Sequence, residues 1–207
     1  MEPLILCVGS LEALQAQLSS NRLLNLSEGA DVVVVPTAAA FRGLSEAAIV
    51  VAELITTFEH RVEALMIADR AAAREPYFAE RLSSADLVVL CDGAALHARS
   101  VWRSTPVGDA FRRAKRIVAV GSVASVLGLV MIDPRGGAPM IGLDLFRDVI
   151  VTTTASDEQL MRTRSLVASD DALVVLGSHG VVSFDGARWT VAADDVVVTR
   201  GHDEVIL

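Results

Sequence analysis

Apolar residues fall along this chain in short unbroken runs, separated by longer stretches in which they recur every three or four positions. The runs Leu4–Val8, Asp31–Val35, Val62–Ile67, Asp86–Cys91 and Ile117–Val120 are rich in valine, isoleucine and leucine, the pattern of strands buried on both faces. Between the second and third, Leu44, Ala47, Ala48, Val51, Leu54, Ile55 and Phe58 recur at helical spacing and predict a helix with one face on the sheet. Leu11–Ser19, Ala72–Ser83, Pro106–Lys115 and Asp157–Val167 read as further helices, the third opened by Pro106, whose fixed φ suits a first turn. Strands alternating with helices predict an α/β fold whose mostly parallel central sheet is covered on both faces. After Pro134 the pattern changes. Arg135-Gly136-Gly137 predicts a loop, and Asp185-Gly186 between Val181–Phe184 and Arg188–Val191 predicts a small antiparallel hairpin near the C-terminus. No repeat, low-complexity tract or Pro/Ser-rich linker interrupts the pattern, so residues 1–207 read as one domain.

Composition narrows the function classes. With 207 residues, 52% of them apolar, the chain can bury a sizeable core. Eighteen Lys and Arg stand against 26 Asp and Glu, a net charge of −8, with no basic run to neutralise phosphates; nucleic acid is not expected as a partner. Arg112, Arg113, Lys115 and Arg116 form a small basic cluster, expected to be a solvated helix end where cations complement the dipole. Cys7 and Cys91 lack C-x-x-C or metal-ligand spacing, and His60, His97, His179 and His202 show neither H-x-x-x-H nor H-x-H. Neither a disulfide scaffold nor a metal or other cofactor is expected. Glu2 replaces the basic residues of a signal peptide, and the uncharged stretch from Ile117 to Ile132 is shorter than the roughly 20 residues a bilayer requires, so the reading is a cytoplasmic protein without a membrane partner. Trp102 and Trp189 are expected in the core or at its rim.

In an open parallel sheet, ligands bind beyond the carboxyl ends of the strands. The residues there are small: Gly9-Ser10 after the first strand, Pro36-Thr37-Ala38 after the second, Asp92-Gly93 after the fourth and Gly121-Ser122 after the fifth. Such residues let backbone N–H groups approach a ligand, as an oxyanion hole requires, and they also serve tight turns with no ligand. The run Ile117 to Ser125 reads as a buried strand, a small-residue turn and an apolar helix, the setting of a nucleophile elbow. The motif is incomplete, because Val120 and Ala124 flank Ser122 where G-x-S-x-G has glycines.

Taken in order, several segments resemble the peptidase S51 group, the cyanophycinase-like and dipeptidase E-like serine hydrolases of the class I glutamine amidotransferase-like fold. Val8-Gly9-Ser10-Leu11-Glu12 resembles the opening glycine turn, Val33 to Ala38 the end of the second strand, and Leu90-Cys91-Asp92-Gly93 with Thr105-Pro106 the Gly-Gly turn and following Thr-Pro. Met131 to Ala138 with Ile141-Gly142-Leu143-Asp144-Leu145 resembles the loop after the elbow in actinobacterial members. The resemblance implies a flavodoxin-like three-layer α/β/α sandwich, an oxyanion turn of Gly9, Ser10, Asp92, Gly93, Gly121 and Val123, a small peptide or acidic ligand, and a homodimer.

The same resemblance exposes departures. The group's elbow is G-[ST]-S-A-G-A, whereas this chain has Ala119-Val120-Gly121-Ser122-Val123-Ala124. Ungapped counting from Asp133-Pro134-Arg135 puts Gly121 at the nucleophile position, and a one-residue shift puts Ser122 there. Where the group has its histidine, Thr153 and Thr154 stand, and Ser178-His179 replaces the acidic pair after the next strand. A serine hydroxyl without a base is a poor nucleophile at neutral pH. The expectation is therefore a degenerate, non-hydrolytic homologue acting through binding or assembly. The alternative is a serine hydrolase with a rearranged site, in which Ser122 is the nucleophile, His179 the base and Asp133 the orienting acid. A third reading, with Cys91 as nucleophile, is disfavoured because Cys91 ends a strand outside the elbow and no basic residue lies near it in sequence.

Overall fold

The five apolar runs become the parallel half of a seven-stranded sheet. The computed structural model describes residues 2–133, 135, 137–153, 156–167, 170–201 and 203–206, with the backbone alone at Asp157 and Glu204. Strands β1 (Leu4–Val8), β2 (Asp31–Val35), β3 (Arg61–Ala64), β4 (Leu87–Leu90) and β5 (Arg116–Val120) pair parallel in the order β1-β5-β4-β2-β3. After β1 the chain enters α1 (Leu11–Ser20), capped by Ser10, whose hydroxyl accepts from the Ala13 amide. α2 (Leu44–Thr56) follows β2.

Alternate residues of each strand serve opposite layers, as a pleated strand dictates. Leu6, Val8, Val32, Val34, Val89 and Val118 pack under Leu14, Leu18, Val51 and Ile55 of α1 and α2. Ile5, Cys7, Val33, Val88, Leu90 and Ile117 face the other way, toward α3 (Pro76–Ser84), α4 (Ala95–Trp102) and α5 (Pro106–Phe111). Trp102 is fully buried there and donates its indole N–H to Thr37 Oγ1, whose hydroxyl donates to Ile67 O. Trp189 stacks at the rim with Phe146 and Phe184.

Several expected elements change shape. The predicted helix over 72–83 is split by Pro76 into a 3₁₀ turn, Ala72–Arg74, and α3, because proline disfavours helical backbone at the residue before it. The third strand ends at Ala64 rather than Ile67, and α5 ends at Phe111 rather than Lys115. The segment Gly121–Val126 is a 3₁₀ helix, not an α-helix. Helix α4 was not anticipated. The basic cluster pins neighbouring segments instead of merely capping a helix: Arg112 donates to the carbonyls of Leu143 and Asp144, and Lys115 Nζ lies 2.8 Å from Asp86 Oδ1.

The expected hairpin is present as β10 (Val181–Phe184) and β11 (Trp189–Val191), with Asp185 Oδ1 accepting from the Ala187 and Arg188 amides across the turn. It extends the main sheet, β10 pairing antiparallel with β1. A small hairpin, β6 (Val130–Ile132) with β7 (Pro139–Ile141), precedes a second sheet of four strands. That sheet has β8 (Val149–Thr153) parallel to β9 (Ala172–Leu176), then β12 (Val196–Arg200) and β13 (Asp203–Glu204). Val149, Val151, Val174 and Val198 on its inner face join the core beneath the main sheet, while Ile150, Leu173 and Val175 pack toward Leu160 of α6 (Asp157–Leu166). No described helix is long and apolar enough to cross a membrane.

Candidate active site

Three strand ends converge where the parallel sheet opens. At the end of β1, a Cβ on Gly9 would lie 1.8 Å from Gly177 O, so only glycine lets the loop after β9 approach; Gly9 N donates to Gly180 O at 2.9 Å. At the end of β4, Gly93 has φ +154°, and a Cβ there would meet Ala38 O at 2.2 Å. At the end of β5, Gly121 has φ +64° and leads directly into the 3₁₀ turn.

Gly121 takes left-handed backbone at the turn that follows β5. In an elbow the nucleophile itself occupies the strained turn between strand and helix. Here that conformation belongs to Gly121, and Ser122 is not among the residues of positive φ.

Ser122 is held one residue further on. Asp92 Oδ1 accepts three hydrogen bonds at 2.8 Å, from the amides of Gly93 and Ser122 and from the Ser122 hydroxyl. The hydroxyl also contacts Gly93 O, so its single proton is shared between two acceptors. Ser125 Oγ donates to Ser122 O at 2.8 Å, bracing the turn from inside. Val123 is fully buried and sends its side chain into the core rather than the site.

Among the described residues no hydrogen bond joins Ser122, His179 and Asp133. His179 is exposed, its amide donating to Asp195 Oδ2 at 2.9 Å. Asp133 is gripped by Arg135 at 3.0 and 3.1 Å, and this guanidinium hydrogen bond, followed by the Arg135 amide, holds its carboxyl below the usual range. Thr153 ends β8 opposite Leu176; Thr154 and His202 lie outside the described residues. Burial pushes the Cys91 thiol up to about 12, and Asp92 beside it pushes the same way, which leaves almost no thiolate at neutral pH. Cys7 is likewise raised to about 12 by burial. No three His, Cys, Asp or Glu side chains gather as metal ligands would among the described residues.

A cavity of about 610 Å³ opens beside this turn, walled by the start of α1, by α2 and by Asp92 and Ser178. Leu11, Ala47, Val50 and Val51 give it an apolar floor, and its charged residues are Glu12, Glu46 and Asp92 against Arg42 alone. A larger depression of about 800 Å³, lined by Phe184, Trp189 and Arg112, lies at the opposite end, where the parallel strands begin. The strand-end rule favours the smaller one. The role of Asp92 was not foreseen; the signal was an acidic residue in place of the first glycine of a Gly-Gly turn.

No protein-family model matches the sequence, and neither does any curated protein. Solved structures do match. A peptidase from an acI-B1 actinobacterium superposes with a TM-score of 0.82 at 18% identity, covering 99% of this chain and 93% of that one. The chain has a peptidase fold. A protein described as a peptidase E from Listeria monocytogenes EGD-e superposes with a TM-score of 0.68 at 11% identity, covering 97% of this chain and 99% of the other. A shared peptidase fold does not carry the activity with it, because chemistry resides in the site grafted on the fold.

Proposed function

We propose that this chain is a non-hydrolytic homologue of the peptidase S51 serine hydrolases, working in the cytoplasm through binding or assembly. One observation carries the reading: the elbow conformation falls on Gly121, while the neighbouring Ser122 hydroxyl donates into Asp92 and Gly93 O. Loss of a nucleophile with its base removes about a million-fold in rate from a serine hydrolase.

The cavity favours one of the expected ligands over the other. Three carboxylates against Arg42 suit the free amino group of a small peptide better than an acidic ligand. Pairing with a second copy is the assembly counterpart of this reading. Incubation with a fluorophosphonate probe and with small dipeptides, acidic and neutral, tests it: no stoichiometric serine adduct and no turnover are expected. An adduct that disappears in Ser122→Ala would overturn the proposal in favour of the rearranged hydrolase.

A further inference from the structure

The end of the sheet where the parallel strands begin holds the larger depression, of about 800 Å³, walled by parts of the chain remote in sequence. The β10–β11 hairpin contributes Phe184, Arg188 and Trp189, the segment before β8 contributes Phe146, and the end of β12 contributes Arg200. We infer that this depression is a second ligand site and that it takes a small aromatic anion, a flat ring carrying a carboxylate or a phosphate. The inference does not rest on the non-hydrolytic reading, because it concerns the other end of the sheet.

The ring half of the ligand follows from the floor. A chain with two tryptophans and six phenylalanines brings one of the former and two of the latter together here. Phe184 and Trp189 stand opposite each other across the antiparallel ladder, so both rings leave the same face of the hairpin, 5.1 Å apart and tilted by 31°. Phe146, itself buried, meets Trp189 edge-on at 4.8 Å and 87°. The indole is thereby fixed, while both hairpin rings stay only half-buried and leave aromatic surface open to the depression. A ring already held in place loses little freedom when a flat ligand stacks on it.

The charge half follows from unspent guanidinium groups. Among the described residues, the guanidinium groups of Arg188 and Arg200 make no hydrogen bond or ion pair. Asp185 lies within reach of the Arg188 charge but is already held by the Ala187 and Arg188 amides. Arg112 adds a third positive charge, although its hydrogen bonds go to the Leu143 and Asp144 carbonyls. Asp144 is cancelled by Arg147 through two hydrogen bonds of 2.8 Å and lies 3.9 Å from Arg112 as well. Glu2 and Asp148 are then the opposing charges, outnumbered by Arg112, Arg188 and Arg200. In a chain of net charge −8 this is a local inversion, and it contrasts with the cavity beside Ser178, where three carboxylates face Arg42. A guanidinium fork matches carboxylate and phosphate oxygens alike, and one without an internal partner gives up nothing to bind them.

Titration of ¹⁵N-labelled protein, followed at the two indole N–H signals, tests this. Trp189 reports on the depression, and Trp102, buried and bonded to Thr37, is the internal control. The probes are adenosine monophosphate and phenylacetate, with adenosine and benzyl alcohol as uncharged rings and phosphate and acetate as ringless anions, all at matched ionic strength. The Trp189 signal is expected to shift saturably with at least one of the two aromatic anions while Trp102 stays still. The uncharged rings and the ringless anions are expected to bind at least about tenfold more weakly. Which aromatic anion saturates the signal identifies the charged group as phosphate or carboxylate. In the double variant Arg188→Gln with Arg200→Gln, both at exposed positions, affinity for that anion is expected to fall about tenfold. No saturable shift with either aromatic anion, equal affinity for the uncharged rings, or unchanged affinity in the double variant would overturn the inference. Should the double variant not melt cooperatively, Arg200→Gln alone decides, and unchanged affinity there overturns the inference as well. Turnover of a dipeptide would remove the earlier proposal and leave this one standing.

Discussion

Two aspartates bracket β4, and the same side chain does opposite work at its two ends. Asp86, before the strand, accepts from Lys115 Nζ at 2.8 Å and from the Asp31 amide at 3.0 Å, at an end of the sheet laced with ion pairs. There Arg81 also joins Asp31 at 3.2 Å and Glu63 at 2.7 Å, and Arg116 donates to Asp86 O. Asp92, after the strand, pairs with no cation among the described residues and accepts from two amides and a hydroxyl. One end neutralises its carboxylates with side-chain charge and staples neighbouring strands. The other offers a carboxylate to backbone amides and a hydroxyl, joining the turns after β4 and β5 without side-chain charge.

The sharpest way to break this contrast is Gly121→Ala. The added Cβ would strike Asp92 and would sit at φ +64°, so a loss of about 2–4 kcal/mol is expected by denaturant unfolding. Adding Asp92→Gly should recover part of that loss, a coupling of roughly 1 kcal/mol or more in a double-mutant cycle; strict additivity would mean that the two residues do not share space. Asp92→Ala alone should cost about 1–3 kcal/mol, the penalty of donors left without their acceptor, less whatever water restores.

At the opposite end the effects are smaller and depend on pH and salt. The Lys115 hydrogen bond first, then the Asp31 amide, holds the Asp86 carboxyl below its ordinary value. A lowered folded value means that the stabilisation is complete above the unfolded value of about 4 and drains away as pH falls through the folded one. Lys115→Ala should therefore cost about 0.5 kcal/mol at neutral pH and low salt, given the exposure of both partners, and almost nothing at pH 2 or in 1 M salt. A loss that persists unchanged at pH 2 would show that Lys115 acts through packing instead. The smallest effect expected anywhere is that of Ser122→Ala on peptide turnover, which should be nil in a spectrophotometric assay.

The sequence pattern made the parallel strands legible because strands buried on both faces must be apolar throughout, as in Val32–Val35. It hid α4, whose residues Leu96, His97, Arg99 and Ser100 dilute any apolar stripe over only two turns. The second sheet was also missed: β9 reads as a strand, but nothing local says that Val174 faces the core while Val175 faces a helix. At the site, the small-residue turns around Gly93 and Gly121 could be placed from strand-end logic. The capture of Asp92 could not, because it depends on the dihedral angles of two glycines and on a meeting between turns remote in sequence.

The Gly9–Gly180 contact and the β1–β10 ladder bear on how the chain is made. As it leaves the ribosome, β1 can dock on β5 once residues 116–120 have emerged, yet its other edge stays bare until residues 181–184 follow. An open strand edge invites pairing with another nascent chain. Completing the sheet therefore waits on the last quarter of the chain, which also carries Ser178, the lining residue of the cavity that is synthesised last.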